Sequence, residues 1–98
     1  MRKIFWSESA KSDFQFNIEY LLSEWSEKEA LNFVKQTSII IGHIEDMPFI
    51  YPESDYKNVR KAFVLKQITL FYRIRNNHVE LLRFWNNYQN PESFREQL

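Results

Sequence analysis

The chain has 98 residues, of which 44% are hydrophobic and 17% aromatic, and its formal net charge is zero. This length predicts one domain over residues 1–98 with a modest core. The absence of cysteine excludes disulfides and thiolate metal sites. No apolar run is long enough for a signal peptide or a membrane span, so we expect a cytoplasmic protein without a membrane association.

The zero net charge hides an asymmetry along the chain. Residues 1–55 carry 5 Lys/Arg against 10 Asp/Glu, whereas residues 56–98 carry 8 Lys/Arg against 3 Asp/Glu. The stretch 56–79 has no acid and contains the basic residues Lys57, Arg60, Lys61, Lys66, Arg73 and Arg75. Such a field attracts polyanions or acidic protein segments, but it also suits a strand surface that acidic helices balance. Both interpretations stay open at this point.

The first predicted elements are a short strand over residues 3–6 and a helix over residues 8–24, with Ser7 as its N-cap. Apolar residues recur along this helix at intervals of three to four, which is the spacing of one buried face. They are Ala10, Phe14, Ile18, Leu21, Leu22 and Trp25. Trp25, at the junction with the next helix, is therefore expected in the core.

A second helix is predicted to begin at Ser26, because Ser26 and Glu29 have the spacing of a capping box. It ends near Asp46, since Pro48 cannot continue it. Its predicted buried stripe is Ala30, Phe33, Val34, Thr37, Ile40, Ile41 and Ile44. Gly42 also falls inside this helix, and we expect close packing to compensate for its cost. The two helices should form an antiparallel hairpin.

A connection over residues 47–57 leads to three predicted strands, which cover residues 60–65, 67–75 and 78–85. The last two strands form a β-hairpin around Asn76-Asn77, because Asn tolerates positive φ in a two-residue turn. The order β-α-α-β-β-β predicts an α+β domain, with an N-terminal helical hairpin packed on a small, mostly antiparallel sheet.

Strand alternation assigns the residues of the hairpin to two faces. The more apolar face, expected to meet the helices, carries Ile68, Leu70, Tyr72 and Ile74. In the last strand, strict alternation places two sets of side chains on opposite faces. One set is Val79, Leu81, Arg83 and Trp85, and the other is Glu80, Leu82 and Phe84. Arg73 and Arg83 can therefore share an open face, with Arg73 opposite Glu80. The face of either arginine stays open on sequence alone.

Short motifs occur in a characteristic order along nearly the whole chain. They are Ile4-Phe5-Trp6, Ala10-x-x-Asp13, Tyr20-Leu21-Leu22, Ile44-x-x-Met47-Pro48, Arg60-Lys61, Leu70-Phe71-Tyr72-Arg73-Ile74, Val79-Glu80-Leu81-Leu82-Arg83-Phe84-Trp85 and Gln89-Asn90-Pro91. Together they resemble the RelE/ParE superfamily, the toxins of type II toxin–antitoxin systems that are often called plasmid stabilisation proteins. The resemblance implies a toxin that a cognate antitoxin, encoded beside it, wraps and blocks.

The superfamily has two branches, and the resemblance implies one of two activities. A ParE-like protein inhibits DNA gyrase by binding, whereas a RelE-like protein cleaves mRNA in the ribosomal A site without a metal. Cleavage needs cations and a proton-transfer group. The residues matching these roles are Arg73, Arg83 and Tyr88, with Tyr72 as a second candidate for stacking or proton transfer. Further candidates for RNA or partner binding are Lys57, Arg60, Lys61, Arg75, Phe84 and Trp85.

The end of the last strand departs from the nuclease branch. Nuclease relatives often place a His-Tyr or basic-plus-Tyr arrangement there, whereas Phe84-Trp85-Asn86-Asn87 has no titratable group before Tyr88. A neutral chain also suits a ribosome-directed nuclease poorly, because phosphate contacts dominate affinity for nucleic acids. These departures favour the ParE-like function. A RelE-like nuclease and an inactive relative that retains only antitoxin binding are the alternatives.

Structural roles compete with functional ones for the same charged residues. Arg73 can pair with Glu80 across the hairpin, and Arg83 with an acid of the helices or of the tail. No cofactor is expected. No metal site is expected either, because the grouping of His43 with Glu45 and Asp46 is typical of a solvated helix end. Association into a homodimer stays open.

Overall fold

The structure, a computed structural model, describes residues 2–87. The elements along the chain are β1 (Lys3–Trp6), α1 (Glu8–Glu24), α2 (Glu27–Asp46), β2 (Arg60–Leu65), β3 (Ile68–Ile74) and β4 (His78–Asn86). The predicted α+β order is confirmed, with element ends that differ by one residue at most. Tyr88 and the Gln89-Asn90-Pro91 motif lie outside the described residues.

The strands form one sheet in the order β1-β4-β3-β2. β1 is parallel to β4, with Ile4 opposite Val79, and the other two pairings are antiparallel. The prediction of a mostly antiparallel sheet is therefore confirmed. β4 follows every other described element in the chain, yet it lies inside the sheet between β1 and β3.

Side-chain caps fix the starts of both helices. The Ser7 Oγ accepts a hydrogen bond from the Ala10 amide at 2.9 Å, and the Ser26 Oγ accepts one from the Glu29 amide at 3.1 Å. Each bond satisfies a backbone donor that the helix itself leaves unpaired. Both predicted N-caps are confirmed, and the near absence of residues between the helices brings them together as a hairpin.

The core lies between the helical hairpin and one face of the sheet. The sheet contributes fully buried side chains, namely Ile68, Leu70, Tyr72, Val79, Leu81 and Phe84, and the helices contribute Ala10, Leu21, Phe33 and Ile44. Aromatic rings join the two layers: Phe14 lies 5.2 Å from both Trp6 and Phe33, measured between ring centroids. The prediction that the Ile68 face of β3 meets the helices is confirmed.

The predicted buried stripes of the helices are too wide. Trp25 is 52% exposed, so its assignment to the core is wrong, and Leu22 and Val34 are also exposed. Leu22 and Val34 follow directly after fully buried residues, and a rotation of about 100° per residue turns them outward. Trp25 is the C-cap residue of α1, at the junction with α2.

Gly42 has open space around it rather than a close neighbour. A Cβ atom built at this position meets nothing within 4 Å. The expectation that close packing compensates for a helical glycine is therefore wrong, and the residue carries its conformational cost without a packing gain.

Asn76 and Asn77 form the predicted two-residue turn, closed by a hydrogen bond of 2.8 Å from the Arg75 amide to the His78 carbonyl. The predicted reason for these residues is wrong. Among the described residues other than glycine, positive φ occurs at Asn58, with φ of 62°, and not in this turn.

A β-bulge changes the alternation of β4. Phe71 pairs with Arg83 and Tyr72 pairs with Leu81, so Leu82 is an extra residue on β4. After it, Phe84 rather than Arg83 follows Val79 and Leu81 into the core. The strict alternation predicted for this strand is therefore wrong beyond Leu81.

Candidate functional site

The far face of the sheet, which is the face turned away from the helices, has an apolar end, and beyond that end β3 continues into a basic stretch at the sheet edge. At the apolar end, Val59, Phe71 and Trp85 form a second buried cluster, with Tyr56 and Leu82 packed against it. The loop before β2 packs against this cluster through Tyr56, and within the loop the Ser54 amide donates to the Val59 carbonyl at 2.8 Å. Hydrophobic side chains thus occupy this end of the far face.

The basic stretch lies at the sheet edge where β3 extends past the start of β2, with Arg73 and Arg75 on the far face and Arg60, the partner of Tyr72, on the helix-facing side. Arg60 pairs with Tyr72, so residues 73–75 face the loop that precedes β2 rather than a strand. The space between them is a cleft of about 190 Å³, which we call the arginine cleft. It is lined by Phe49, Glu53, Asn58, Arg60, Arg73, Ile74 and Arg75. Sequence analysis selected its three arginines separately, and the fold brings them together.

Two of these arginines have acidic partners. The Arg75 Nε lies 2.7 Å from the Glu80 Oε1, and the Arg60 Nη2 lies 3.7 Å from the Glu53 Oε1. Arg73 stands opposite Glu80 in the register, as predicted, but the ion pair belongs to Arg75. The hydrogen bond from Arg75 lowers the pKa of Glu80. Within residues 2–87, the side chain of Arg73 makes no hydrogen bond or ion pair.

Arg83 is held away from the arginine cleft by an acid of α1. Its Nε donates to the Asp13 Oδ2 at 2.6 Å and its Nη2 donates to the Asp13 Oδ1 at 2.9 Å. Both residues are 8% exposed, and the guanidinium carbon lies 5.1 Å from the centre of the Trp85 ring. Arg83 pairs with Phe71 in the register and so lies on the same face as Arg73, but it is buried there and held by the predicted ion pair with a helical acid.

Polar side chains of α1 and its cap complete the hydrogen bonding of β4. β1 pairs with β4 only as far as Leu81, so the rest of β4 lies beside α1 without a strand on that side. Asp13 accepts from the Phe84 amide at 3.1 Å, and Asn17 donates to the Phe84 carbonyl at 3.0 Å. Ser7 donates to the Leu82 carbonyl at 2.9 Å.

Sequence reasoning missed this role of Asp13 and Asn17. The available signal was their spacing of four residues, which places two polar side chains on one side of a helix next to the apolar stripe. Asn17 is fully buried, and its Oδ1 accepts from Asn86 at 3.3 Å. Buried polar groups need hydrogen-bond partners. Two polar side chains within an apolar helix face therefore indicate that backbone N–H and C=O groups of a neighbouring strand lie there.

Burial disfavours two aromatic candidates. Phe84 has no exposed surface, which disfavours the predicted contact with RNA or a partner. Tyr72 is fully buried and its hydroxyl donates to the Pro48 carbonyl at 2.8 Å. Burial raises the pKa of Tyr72 to about 12. These features disfavour a role for Tyr72 in base stacking or proton transfer.

The remaining candidates lie apart from one another. Trp85 is 7% exposed within the apolar cluster, whereas Lys57 is exposed in the loop before β2. The Lys61 Nζ lies 6.0 Å from the centre of the Phe63 ring, which is on the edge strand β2. The structure thus brings Arg60, Arg73 and Arg75 together and leaves the other described candidates outside the arginine cleft.

The described residues contain no cluster of three or more His, Asp or Glu side chains able to hold a metal ion. His43 instead contacts a tyrosine, since its Nδ1 lies 3.0 Å from the Tyr51 hydroxyl. None of the described helices has the length and hydrophobicity needed to cross a membrane.

Comparison with known families identifies the chain. Residues 4–91 match the family model described as the ParE toxin of the type II toxin–antitoxin system parDE. This match covers most of the 98 residues, so the chain belongs to the ParE toxin family. The resemblance to the RelE/ParE superfamily is confirmed. No curated protein matches the sequence at a significant level.

Solved structures share the fold at low sequence identity. The chromosomal ParDE TA system from P. aeruginosa superposes with a TM-score of 0.73 at 15% identity, over 88% of this chain and 96% of that chain. YafQ from E. coli strain BL21(DE3) gives 0.63 at 14%, over 90% and 96%. The YoeB dimer from Staphylococcus aureus gives 0.61 at 14%, over 85% and 93%. The fold is therefore shared by differently named toxins.

Proposed function

We propose that this protein is the toxin of a type II toxin–antitoxin module that acts in the cytoplasm by binding a host protein, DNA gyrase, and is neutralised by a cognate antitoxin. The observation that carries the proposal is the packed apolar end of the far face. Hydrophobic side chains lie around the predicted catalytic Arg83, and its guanidinium is already bound to Asp13.

Arg83 is poorly suited to bind a phosphate in this arrangement. To reach one, its guanidinium would leave Asp13 behind as a buried carboxylate without its counter-charge. Breaking a buried ion pair in this way costs about 3–5 kcal/mol. The ion pair therefore supports a structural role for Arg83 in joining β4 to α1.

The described part of the far face also offers few groups for acid–base catalysis. Metal-independent RNA cleavage needs a base and an acid with pKa values near neutrality. Glu80 is bound to Arg75, which holds its pKa below the ordinary range. Tyr72 lies on the opposite face of the sheet, buried in the core with a raised pKa. These features support inhibition by binding over catalysis.

Two assays test the proposal. The purified protein should inhibit supercoiling of relaxed plasmid by DNA gyrase, and Arg73→Ala should weaken the inhibition at least tenfold, because it removes an unpaired cation from the far face. Lys35→Ala is the matched control, since it removes an exposed positive charge from α2. Growth arrest in expressing cells without inhibition of gyrase would contradict the proposed target.

The second candidate is a RelE-like mRNA endonuclease. It is favoured by the convergence of three arginines in one cleft. Primer extension on mRNA from expressing cells separates the two functions. Cuts at the ribosomal A site that disappear in Arg73→Ala would establish the nuclease and contradict the binding mechanism.

The third candidate, an inactive relative, predicts harmless expression in the absence of any antitoxin. For an active toxin, co-expression of a small neighbouring reading frame should restore growth. That frame should encode a DNA-binding start and an acidic, amphipathic tail.

A further inference from the structure

We propose that the arginine cleft is a carboxylate subsite, in which Arg73 binds the side chain of one Asp or Glu from a protein partner while Phe49 and Ile74 contact an apolar neighbour of that residue. The inference rests on the proposed function in one respect, that the partner is a protein. It adds the chemistry of the contact and its location.

The charges around the cleft leave one positive charge unmatched. Arg60, Arg73 and Arg75 line the cleft, Glu53 pairs with Arg60, and Glu80 pairs with Arg75. Arg73 is the one of the three whose side chain makes no hydrogen bond or ion pair in residues 2–87, and Glu80, opposite it in the register, is already bound to Arg75. One uncompensated guanidinium is complementary to one carboxylate, which it can bind through two parallel hydrogen bonds.

The two paired arginines are already held in place. The Arg60 Nη1 donates to the Tyr51 carbonyl at 2.7 Å, and its guanidinium carbon lies 5.0 Å from the centre of the Phe49 ring. Arg75 is fixed by Glu80 at 2.7 Å. A site whose walls are ordered before binding loses less side-chain entropy when a ligand enters.

The walls of the cleft favour a protein segment over a nucleic acid. Phe49 is 61% exposed beside Arg60, and Ile74 adds a second apolar surface. An RNA or DNA strand binds through many phosphates at once, and its affinity grows with the number neutralised. Within the lining of the cleft, Arg73 is the one cation without an ion pair, and Glu53, whose side chain is 72% exposed, lines the same cleft, so such a strand would find few phosphate contacts there.

The test is a titration of the full-length ¹⁵N-labelled protein, followed through the arginine side-chain Nε–Hε signals by NMR. The probes are two blocked tripeptides, acetyl-Ala-Glu-Leu-amide and acetyl-Ala-Gln-Leu-amide. We expect the Glu peptide to shift the Arg73 signal with a Kd on the order of 1 mM. The Gln peptide should bind at least tenfold more weakly, because it lacks the charge.

Two variants locate the site. Arg73→Gln should weaken binding of the Glu peptide roughly tenfold or more, since it removes the charge-assisted hydrogen bonds. Lys35→Gln removes one positive charge from the helical layer and should change the Kd less than twofold. Equal binding of the two peptides, or an unchanged Kd in Arg73→Gln, would overturn the carboxylate subsite.

The same NMR titration is repeated with phosphate ligands. Inorganic phosphate and a ten-nucleotide single-stranded RNA should bind at Arg73 more weakly than the Glu peptide, and tighter binding of either would overturn the proposal. The carboxylate subsite and the gyrase target can be contradicted independently of each other. Gyrase inhibition without peptide binding would remove only the subsite, whereas peptide binding without gyrase inhibition would remove only the proposed target.

Discussion

The carboxylate of Asp13, on α1, binds two groups of β4. Its carboxylate binds the Arg83 guanidinium and accepts the Phe84 amide hydrogen, and it is 8% exposed. Buried ion pairs add little net stability, but removing one member leaves the other charged without compensation. Asp13 therefore determines the free energy of unfolding more strongly than any exposed acid of the helices.

We predict that Asp13→Ala lowers the free energy of unfolding by about 3–5 kcal/mol, because Arg83 stays buried without a counter-charge. Urea unfolding followed by circular dichroism measures the change. The exposed Asp46→Ala variant is the control and should differ from the parent by less than about 0.5 kcal/mol. A loss below about 1 kcal/mol in Asp13→Ala would contradict the buried pair.

The lowered pKa of Glu80 makes its contribution to stability depend on pH. Its pKa in the folded protein is lowered, first by the hydrogen bond from Arg75. The stabilisation is therefore present above the ordinary Glu pKa of 4.5 and is lost as the pH falls through the lowered value. Glu80→Gln should be less stable than the parent at pH 7 by at most about 1 kcal/mol, because the pair is partly exposed.

The comparison is made by thermal unfolding of both proteins between pH 7 and pH 3. The difference between them should shrink as the pH falls. A difference that grows toward low pH would show that Arg75 does not stabilise the charged form of Glu80.

At the scale of elements, α1 takes the place of a missing strand. β1 covers only the first half of β4, and Ser7, Asp13 and Asn17 bond the backbone of the second half. An uncovered stretch of strand backbone is a template for unwanted pairing with another chain. The polar side chains of α1 thus satisfy this edge and fix the position of the helix along it.

Replacing Gly42 in α2 offers a way to raise the free energy of unfolding. Its surroundings leave room for a methyl group, so Gly42→Ala should raise the free energy of unfolding by about 0.5–1 kcal/mol. The midpoint of thermal unfolding should rise by about 2–8 °C in a chain of this size. A lowered midpoint would reveal a close neighbour at this position.

Sequence patterns predicted the elements well because their signals are local. Helix periodicity, the Ser7 and Ser26 caps and the Asn76-Asn77 turn each depend on a few neighbouring residues. The bulge at Leu82 was not predictable in this way, because it depends on the pairing of β4 with β3. One extra residue exchanged the faces of Arg83 and Phe84, and with them two of the candidate site residues.

Sequence analysis predicted which residues form the candidate site but not their arrangement in space. Arg60, Arg73 and Arg75 were selected for their charge, and the relative lengths of β2 and β3 gather them in one cleft. Their division into paired and unpaired cations depends on Glu53 and Glu80. Glu53 comes from a loop, and loop positions carry no periodic signal.

For the whole molecule, the two ends of the described chain meet in the sheet. β1 pairs with the first half of β4, and Trp6 packs against Phe14 and Phe84 with ring centroids 5.2 Å and 5.3 Å away. The N-terminal strand is therefore a structural part of the domain. Its loss would remove a strand and one wall of the aromatic core.

Deletion of residues 2–6 should abolish cooperative unfolding, because β4 loses the strand beside its first half and the core loses Trp6. Thermal unfolding measured by near-ultraviolet circular dichroism checks this. Phe5→Ser is the control: Phe5 is 52% exposed, so this change keeps the backbone pairing and should retain a cooperative transition. A cooperative transition in the deleted protein would contradict the role assigned to β1.

The central position of β4 has a consequence for how the protein is made. Ribosomes add about 5–20 residues per second, so residue 86 follows residue 6 by an interval on the order of 4–16 s. During that interval β1 has no strand to pair with, and Asp13 and Asn17 have no backbone to bond. The nascent chain therefore completes its sheet only when β4 has left the ribosome. A chain built in this order therefore reaches its complete fold only near the end of its synthesis.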